Sequence, residues 1–297
     1  MKISLSVFLA LACVLPLRAE SWSLHMPETG LLPSYAKASF MSRMHQRHGD
    51  SHLGLQEYEL NLPITDPRRS HYGDWWLNVQ GNLTLSLVDM GAAFGLRKDE
   101  LYEFSLPITL IHPLSQNEKF LFTLMPRYAG DAVHFGRGFD LSFVADYTIR
   151  RSETLSWSIG LAGSPRFADY IVVPWVSVMW QATPDWLIRF KGYSLAALYS
   201  MSKRLSIGPS LSGSGGTWMV DSAAGQRILR VRSLVASLLA EYDFSAVGQR
   251  KRIAFVSIGS TLVTRAELCR RNTGHDSEAS AHYKPGFFLS LGADFRF

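Results

Sequence analysis

From Glu57 onward the chain alternates, and this restricts its fold more than any other feature. In QEYELNLPI, Tyr58, Leu60, Leu62 and Ile64 fall on one side of an extended backbone; Glu57, Glu59 and Asn61 fall on the other. In WWLNVQGNLTLSLVD (75–89), Leu77, Val79, Leu83, Leu85 and Leu87 oppose Asn78, Gln80, Asn82, Thr84 and Ser86. LYEFSLPITL (101–110) repeats the pattern with Tyr102, Phe104, Leu106, Ile108 and Leu110. A period of two is the mark of a strand with one apolar face. That face must be covered either by a second sheet, as in a sandwich, or by lipid around a closed barrel.

Further strand candidates are 119–127, 139–148, 154–163, 170–181, 185–193, 204–213, 233–244, 251–268 and 286–297, which makes twelve with the first three. ELNLPIT (59–65) and EFSLPIT (103–109) echo each other. Their prolines, Pro63 and Pro107, lack a ladder donor and therefore suit a strand rim or a bulge. Two segments stay ambiguous. SLAALYSMSKRL (194–205) allows a short helix, and Leu234, Val235, Leu238, Leu239 and Tyr242 have helical spacing. Several connections, such as 150–153 and 182–184, are too short for crossover helices, so the strands read as an antiparallel meander. The Gly- and Ser-rich stretch 213–226 and the polar stretch 269–285 read as loops without structure of their own.

The first segment stands apart. Lys2 precedes the apolar run ISLSVFLALACVLPL, then Arg18 and Ala19, which is the layout of a secretory signal peptide spanning 1–19. A lipoprotein cut before Cys13 is the rival, with a poor tether following it. Removing residues 1–19 takes away Lys2 and Arg18, so the formal charge of +5 falls to +3, and leaves Cys269 as the sole cysteine. An exported chain without disulfides needs another source of stability, which a large closed sheet supplies. Residues 20–52 show no regular pattern and read as a periplasmic leader or plug; 53–297 read as the β domain.

Past the signal no run reaches the roughly 18 apolar residues of a membrane helix, and mean hydropathy is +0.03. Three features favour a membrane barrel over a secreted sandwich. The chain is exported; its strands run near the ~9–11 residues of a tilted spanning strand; and aromatics crowd strand ends at Trp75, Trp76, Tyr102, Tyr170, Trp186, Tyr193, Phe295 and Phe297. The fold expected is an all-β, transmembrane, antiparallel up-and-down β-barrel of about 12 strands.

The ending GFFLSLGADFRF places Phe287, Leu289, Leu291, Ala293, Phe295 and Phe297 on one face, with phenylalanine last. It resembles the C-terminal signal of bacterial outer-membrane β-barrel proteins at Phe297, Phe295, Leu291 and Leu289, with Ala293 smaller than the residue often found there. The resemblance implies an outer-membrane location and recognition of the last strand by the barrel-assembly machinery. Residues 170–297 are also similar to a large uncharacterised group of barrel proteins, which adds to the fold and little to function.

No stretch carries recognisable chemistry. G-x-S-x-G, H-E-x-x-H and phosphate-binding glycine loops are missing, so no catalytic residue, metal ligand or cofactor is assigned. His45, His48 and His52 have metal-ligand spacing only on a helix, and Gly49 interrupts them. His71, His112, His134, His275 and His282 are the remaining candidates for a hydrolytic base.

Charge is more informative. Arg189 and Lys191 share a face opposite Trp186, Ile188 and Phe190, which in a barrel is the lumen. Arg230, Arg232 and Arg265 add to a basic interior or rim, with Arg127, Arg150 and Arg151 as further contributors. Lumen charge tunes selectivity. Salt bridges to Glu57, Glu59, Glu103, Asp140, Asp146 and Asp294 would instead close the interior. The expected function is a small passive pore or transporter for small solutes. The alternatives are a plugged structural or binding barrel, a membrane-embedded lipid or peptide hydrolase, and a soluble sandwich. Expected partners are outer-membrane lipids, lipopolysaccharide, the assembly machinery and small solutes; scattered arginines and export argue against nucleic acid.

Overall fold

The computed structural model describes residues 34–65, 71–91, 94–132, 138–164, 171–223, 225–245, 252–270 and 277–295. The signal segment, Phe297, Tyr170, His134 and His275 lie outside them. Every regular element among the described residues is a strand. In chain order they are β1 (Ser34–His45), β2 (His52–Pro63), β3 (His71–Tyr72), β4 (Trp75–Asp89), β5 (Glu100–Ser105) and β6 (Ile108–Pro113). Then follow β7 (Glu118–Gly130), β8 (Phe139–Arg150), β9 (Leu155–Ser164), β10 (Ile171–Gln181), β11 (Trp186–Lys191) and β12 (Ser194–Ser200). The last are β13 (Leu205–Ser214), β14 (Thr217–Ser222), β15 (Gly225–Asp243), β16 (Arg252–Cys269), β17 (Ser277–Tyr283) and β18 (Phe287–Phe295).

Neighbouring strands pair antiparallel, and β18 pairs with β1, so the sheet closes on itself. The staves of the ring are β1, β2, β4, β5 with β6, β7, β8, β9, β10, β11, β12, β13, β15, β16 and β18, fourteen in all. The expected count of about 12 is therefore corrected. One added stave is β1, which sequence reading had placed in the leader. Its outward side is small at Ala36 and Ala38 with Phe40 beyond them, and its inward side mixes Tyr35, Met41 and Met44 with Lys37 and Ser39, so neither face is uniformly apolar. A register shift between Met41 and Met44 breaks its period as well. The other is the separation of β11 from β12 by a tight turn, where a helix over 194–205 had been allowed; 233–244 likewise forms strand, not helix. Pro107 sits in the break between β5 and β6, where the register continues unshifted on both sides, and Pro63 sits at the end of β2, a rim position that its missing donor suits.

The two faces are inside out relative to a water-soluble sheet. Tyr58, Leu60 and Leu62 are 47, 40 and 49 % exposed, whereas Glu57, Glu59 and Asn61 are 6, 7 and 7 % exposed. The same division holds on β4, where Asn78, Gln80 and Ser86 are buried and Leu83 is exposed. Leu110, Leu141, Ile159, Leu161, Val172, Val176, Leu238, Val256, Ile258 and Leu291 extend the exposed apolar band around the ring. Such a band is unstable in water and stable in hydrocarbon, and the pairing of β18 with β1 closes the ring without leaving two free edge strands. Trp75, Trp180, Trp186, Tyr199 and Tyr242 ring the end where the termini lie; Phe40, Phe104, Phe139 and Phe287 stand nearer the other. These rings match the headgroup levels of a bilayer.

Beyond the ring, at the end away from the termini, the two stretches read as loops are ordered. β14 pairs with the start of β15, and β17 with the end of β16. β14 also reaches β7, which lies seven staves away around the ring in either direction, through a parallel contact of Met219 with Gly130. A Cβ on Gly130 would stand 2.8 Å from the Met219 carbonyl oxygen, so the approach needs glycine. β17 ties back to β1 through the Lys284 N–H to the His45 oxygen and the Arg47 N–H to the His282 oxygen, both 2.8 Å. A smaller circuit thus caps half of the barrel: β1, β2, β4, β5, β7, β14, β15, β16 and β17. Its inside is filled by Met41, Leu53, Leu55, Val88, Phe94, Leu101, Trp218, Val220, Leu229, Val231, Leu268 and Tyr283, packed as one cluster.

Candidate functional site: the barrel interior

Inward positions alternate with outward ones, so every second residue of each stave faces the lumen. The polar inward residues form layers. Hydroxyl pairs bridge neighbouring staves: Ser39 with Ser290 at 3.0 Å, Ser158 with Ser177 at 2.5 Å, Thr109 with Thr123 at 2.9 Å and Ser210 with Ser237 at 2.7 Å. These satisfy small polar groups at little cost in lumen width.

The charged side chains are held by partners. Arg127 on β7 is 3 % exposed; its Nη2 and Nε donate to the two Asp140 oxygens at 2.8 and 3.2 Å, and its Nη1 donates to Glu103 at 3.3 Å. Two carboxylates on the flanking strands β5 and β8 fork one guanidinium, a planar match that only arginine makes. Lys37 on β1 donates to Glu59 at 2.9 Å, and Ser214 at the end of β13 donates to Glu57 across the lumen at 3.3 Å. Arg189 on β11 reaches Glu241 on β15, three staves away, at 2.5 Å.

The five sequence-predicted charge positions separate into two groups. Arg189 and Lys191 are buried on the inward side of β11, with Asp146 within electrostatic reach of Lys191. Arg230, Arg232 and Arg265 lie on the opposite face of β15 and β16, beyond a register shift at Leu234/Val235. There Arg230 pairs in register with Glu267 and Arg232 with Arg265, and Arg265 Nη2 lies 2.6 Å from Glu267. Sequence reading missed Glu241 and Lys37 as interior charges. Lys37 was hidden by the leader reading of 34–45, and Glu241 by the helical spacing that left 233–244 ambiguous.

On the terminus side the lumen widens to a vestibule of about 1030 Å3. Glu118, Lys119, Arg150, Arg189, Glu241 and Asp243 supply its charge, and Trp76 and Ile111 part of its apolar wall. The Arg189–Glu241 bridge lines it. The vestibule is concave, water-accessible and of mixed sign.

Among the described residues the histidines do not gather. His45 and His52 face each other across the β1–β2 hairpin, and His52 Nε2 lies 2.7 Å from Asp89, which also holds Arg43 at 2.6 Å. His112 stacks on Trp75 with centroids 4.6 Å apart. Among the described residues no three His, Cys, Asp or Glu side chains come together as a metal site. The hydrogen bonds of His52 orient a loop end and bring no serine or threonine nucleophile with them.

No protein family matches the sequence, and no curated protein matches it. Solved structures do. An outer-membrane channel of Pseudomonas putida F1 aligns at 16 % identity over 89 % of this chain and 94 % of that one, with a TM-score of 0.44. The NanC porin aligns at 7 % identity over 89 % and 100 %, TM-score 0.37. The P. putida toluene transporter TodX aligns at 9 % identity over 95 % and 94 %, TM-score 0.36. Their names describe an outer-membrane channel, a porin and a toluene transporter; with TM-scores under 0.5 the likeness carries no argument.

Proposed function

We propose that the chain is an outer-membrane β-barrel acting as a small passive pore or transporter for small solutes. The observation that carries this is the closed ring with an apolar outside, a charged inside and a vestibule of about 1030 Å3. Closure answers the membrane's demand for paired wall amides along every stave interface except above the short β11–β12 hairpin. The polar lumen supplies solvation to a solute that hydrocarbon refuses. Fixed guanidinium–carboxylate pairs give the lumen local polarity with little net charge, which suits neutral or zwitterionic small molecules over strongly charged ones.

The partners follow from the surface. Lipid acyl chains cover the exposed band, and the aromatic rims meet headgroups, including lipopolysaccharide in the outer leaflet. The outward side of β18 carries Leu289, Leu291 and Phe295, and β18 is the strand that closes the ring against β1. That position suits the role of assembly signal proposed for it together with Phe297.

Planar-bilayer recording of refolded protein tests the pore. Steady current steps support it; silence at every voltage rejects it. Silence is the outcome a second reading expects, a plugged barrel presenting loops, and the apolar cluster under β14 is the observation that favours that reading.

A further inference from the structure

The wall of the ring is not of even height. β9, β10 and β13 have 10, 11 and 10 residues, whereas β11 and β12 between them have only 6 and 7. Six residues in a strand tilted ~40° climb about 15 Å, short of the roughly 25 Å apolar band of a spanning barrel. The β11–β12 hairpin starts at the terminus-side aromatic rim with Trp186 and Tyr199, whose rings stand 5.3 Å apart. It therefore ends inside the bilayer.

Above its tip the ladder stops. β10 pairs with β11 only from Ser177 to Gln181, and β13 pairs with β12 no higher than Leu211. Ile171–Trp175 on one side and Ser212–Ser214 on the other have no strand between them among the described residues, and β10 does not pair with β13. If the flanking strands keep their spacing, three strand intervals leave about 14 Å between their axes. The edge is adapted to this. The Gly192 N–H donates to the Val176 oxygen at 2.9 Å, so residue 176 turns its backbone groups to the β11 side. Two residues higher, Pro174 occupies the same side and has no N–H to leave unpaired. Val172, Pro174 and Val176 are exposed and belong to the apolar band, so the gap opens onto hydrocarbon. The Trp175 ring forms its sill: a Cβ on Gly192 (φ +55°) would stand 2.7 Å from that ring.

We propose that this notch between β10 and β13 is a lateral window joining the lumen to the bilayer, and that it gives small apolar or amphipathic solutes a sideways route. The inference deepens the pore reading and rests on it for the solute, though not for the window. The route has a physical rationale: the half-barrel opposite the notch is filled by apolar side chains, and a solute with an apolar body leaves a polar lumen downhill into hydrocarbon.

Spin labels test the window directly. In refolded Cys269→Ala protein, single cysteines are placed at Val173→Cys and Met179→Cys, both on the lumen side of β10, and at Val176→Cys on its lipid side. Heat-modifiable migration confirms that each variant is folded. At 176 the label should be relaxed mainly by lipid-soluble oxygen, and at 179 mainly by a water-soluble nickel chelate. At 173 the oxygen effect should exceed the nickel effect at least severalfold, as at 176. A label at 173 that behaves as at 179 overturns the window, whether or not the protein conducts. In conducting protein, N-phenyl-1-naphthylamine dissolved in the bilayer should produce blocking events whose frequency rises with its lipid-phase concentration. A lipid-exposed 173 with no block overturns the solute route.

Discussion

The two ends of this barrel solve the same problem with opposite materials. At the terminus side the interior is wide and charged, and each ion pair spans neighbouring or near-neighbouring staves, as Arg189–Glu241 does. At the other end β14 crosses the ring, and the interior is filled by nonpolar side chains such as Trp218, Leu229 and Tyr283. A polar interior keeps its shape by directional bonds and still admits water; an apolar interior keeps its shape by packing and excludes it. The wall follows the same division: long strands surround the packed end, while the short hairpin β11–β12 belongs to the hollow side.

The comparison can be broken from either end. The largest effect is expected at the packed end. Trp218→Ala empties the centre of the cap and should cost about 3–5 kcal/mol of unfolding free energy, measured by urea titration in vesicles. If the cap obstructs flow, the same variant should raise single-channel current. An unchanged midpoint would show that the cap is loosely packed and the contrast mistaken.

Arg127→Ala should cost about 3 kcal/mol, because it leaves Asp140, whose side chain is 1 % exposed, without its guanidinium. Arg127→Lys should recover only part of that loss, since lysine cannot fork two carboxylates. Full recovery would mean that charge alone, not the forked geometry, holds β5, β7 and β8.

Glu241→Gln should cost about 2 kcal/mol, because the amide keeps a hydrogen bond to the buried Arg189 but not its charge compensation, and it should make the vestibule more positive by one charge. Anion over cation permeability should rise roughly twofold, read from the reversal potential in a salt gradient. A shift toward cations would place Arg189 outside the conducting path.

The smallest effect concerns the outer fringe of the cap. Hydrogen bonds from Arg227 and Arg270 hold the Glu278 carboxyl below its ordinary value. A lowered folded-state value means that the stabilisation is complete above the unfolded carboxylate range and fades as pH falls through the folded one. Hydrogen exchange in β17 should therefore quicken at acid pH, and Glu278→Gln should remove that dependence. Exchange that slows on acidification would reverse the assignment.

Much of this architecture was legible in the chain. The faces of β2, β4, β5 and β6 follow from residues such as Glu57, Tyr58 and Glu59, because neighbours in an extended strand point to opposite sides wherever the strand is placed. The lumen position of Arg189 and Lys191 follows for the same reason. β1 was not legible, since Met41 and Met44 turn inward to a cap that only the folded chain creates. β14 and β17 were not legible either: Gly215 and Gly216 look like loop residues until Trp218 has a cluster to enter.

The sequence by itself settled which side of each regular strand is oily and which is polar, because that alternation is a local property of extended backbone. Tertiary structure alone decided that fourteen staves close the ring, that Arg127 takes both Glu103 and Asp140, that β14 reaches β7, and that β11 and β12 stop short. Those outcomes depend on strands distant in sequence meeting in one register, and no local pattern encodes the partner.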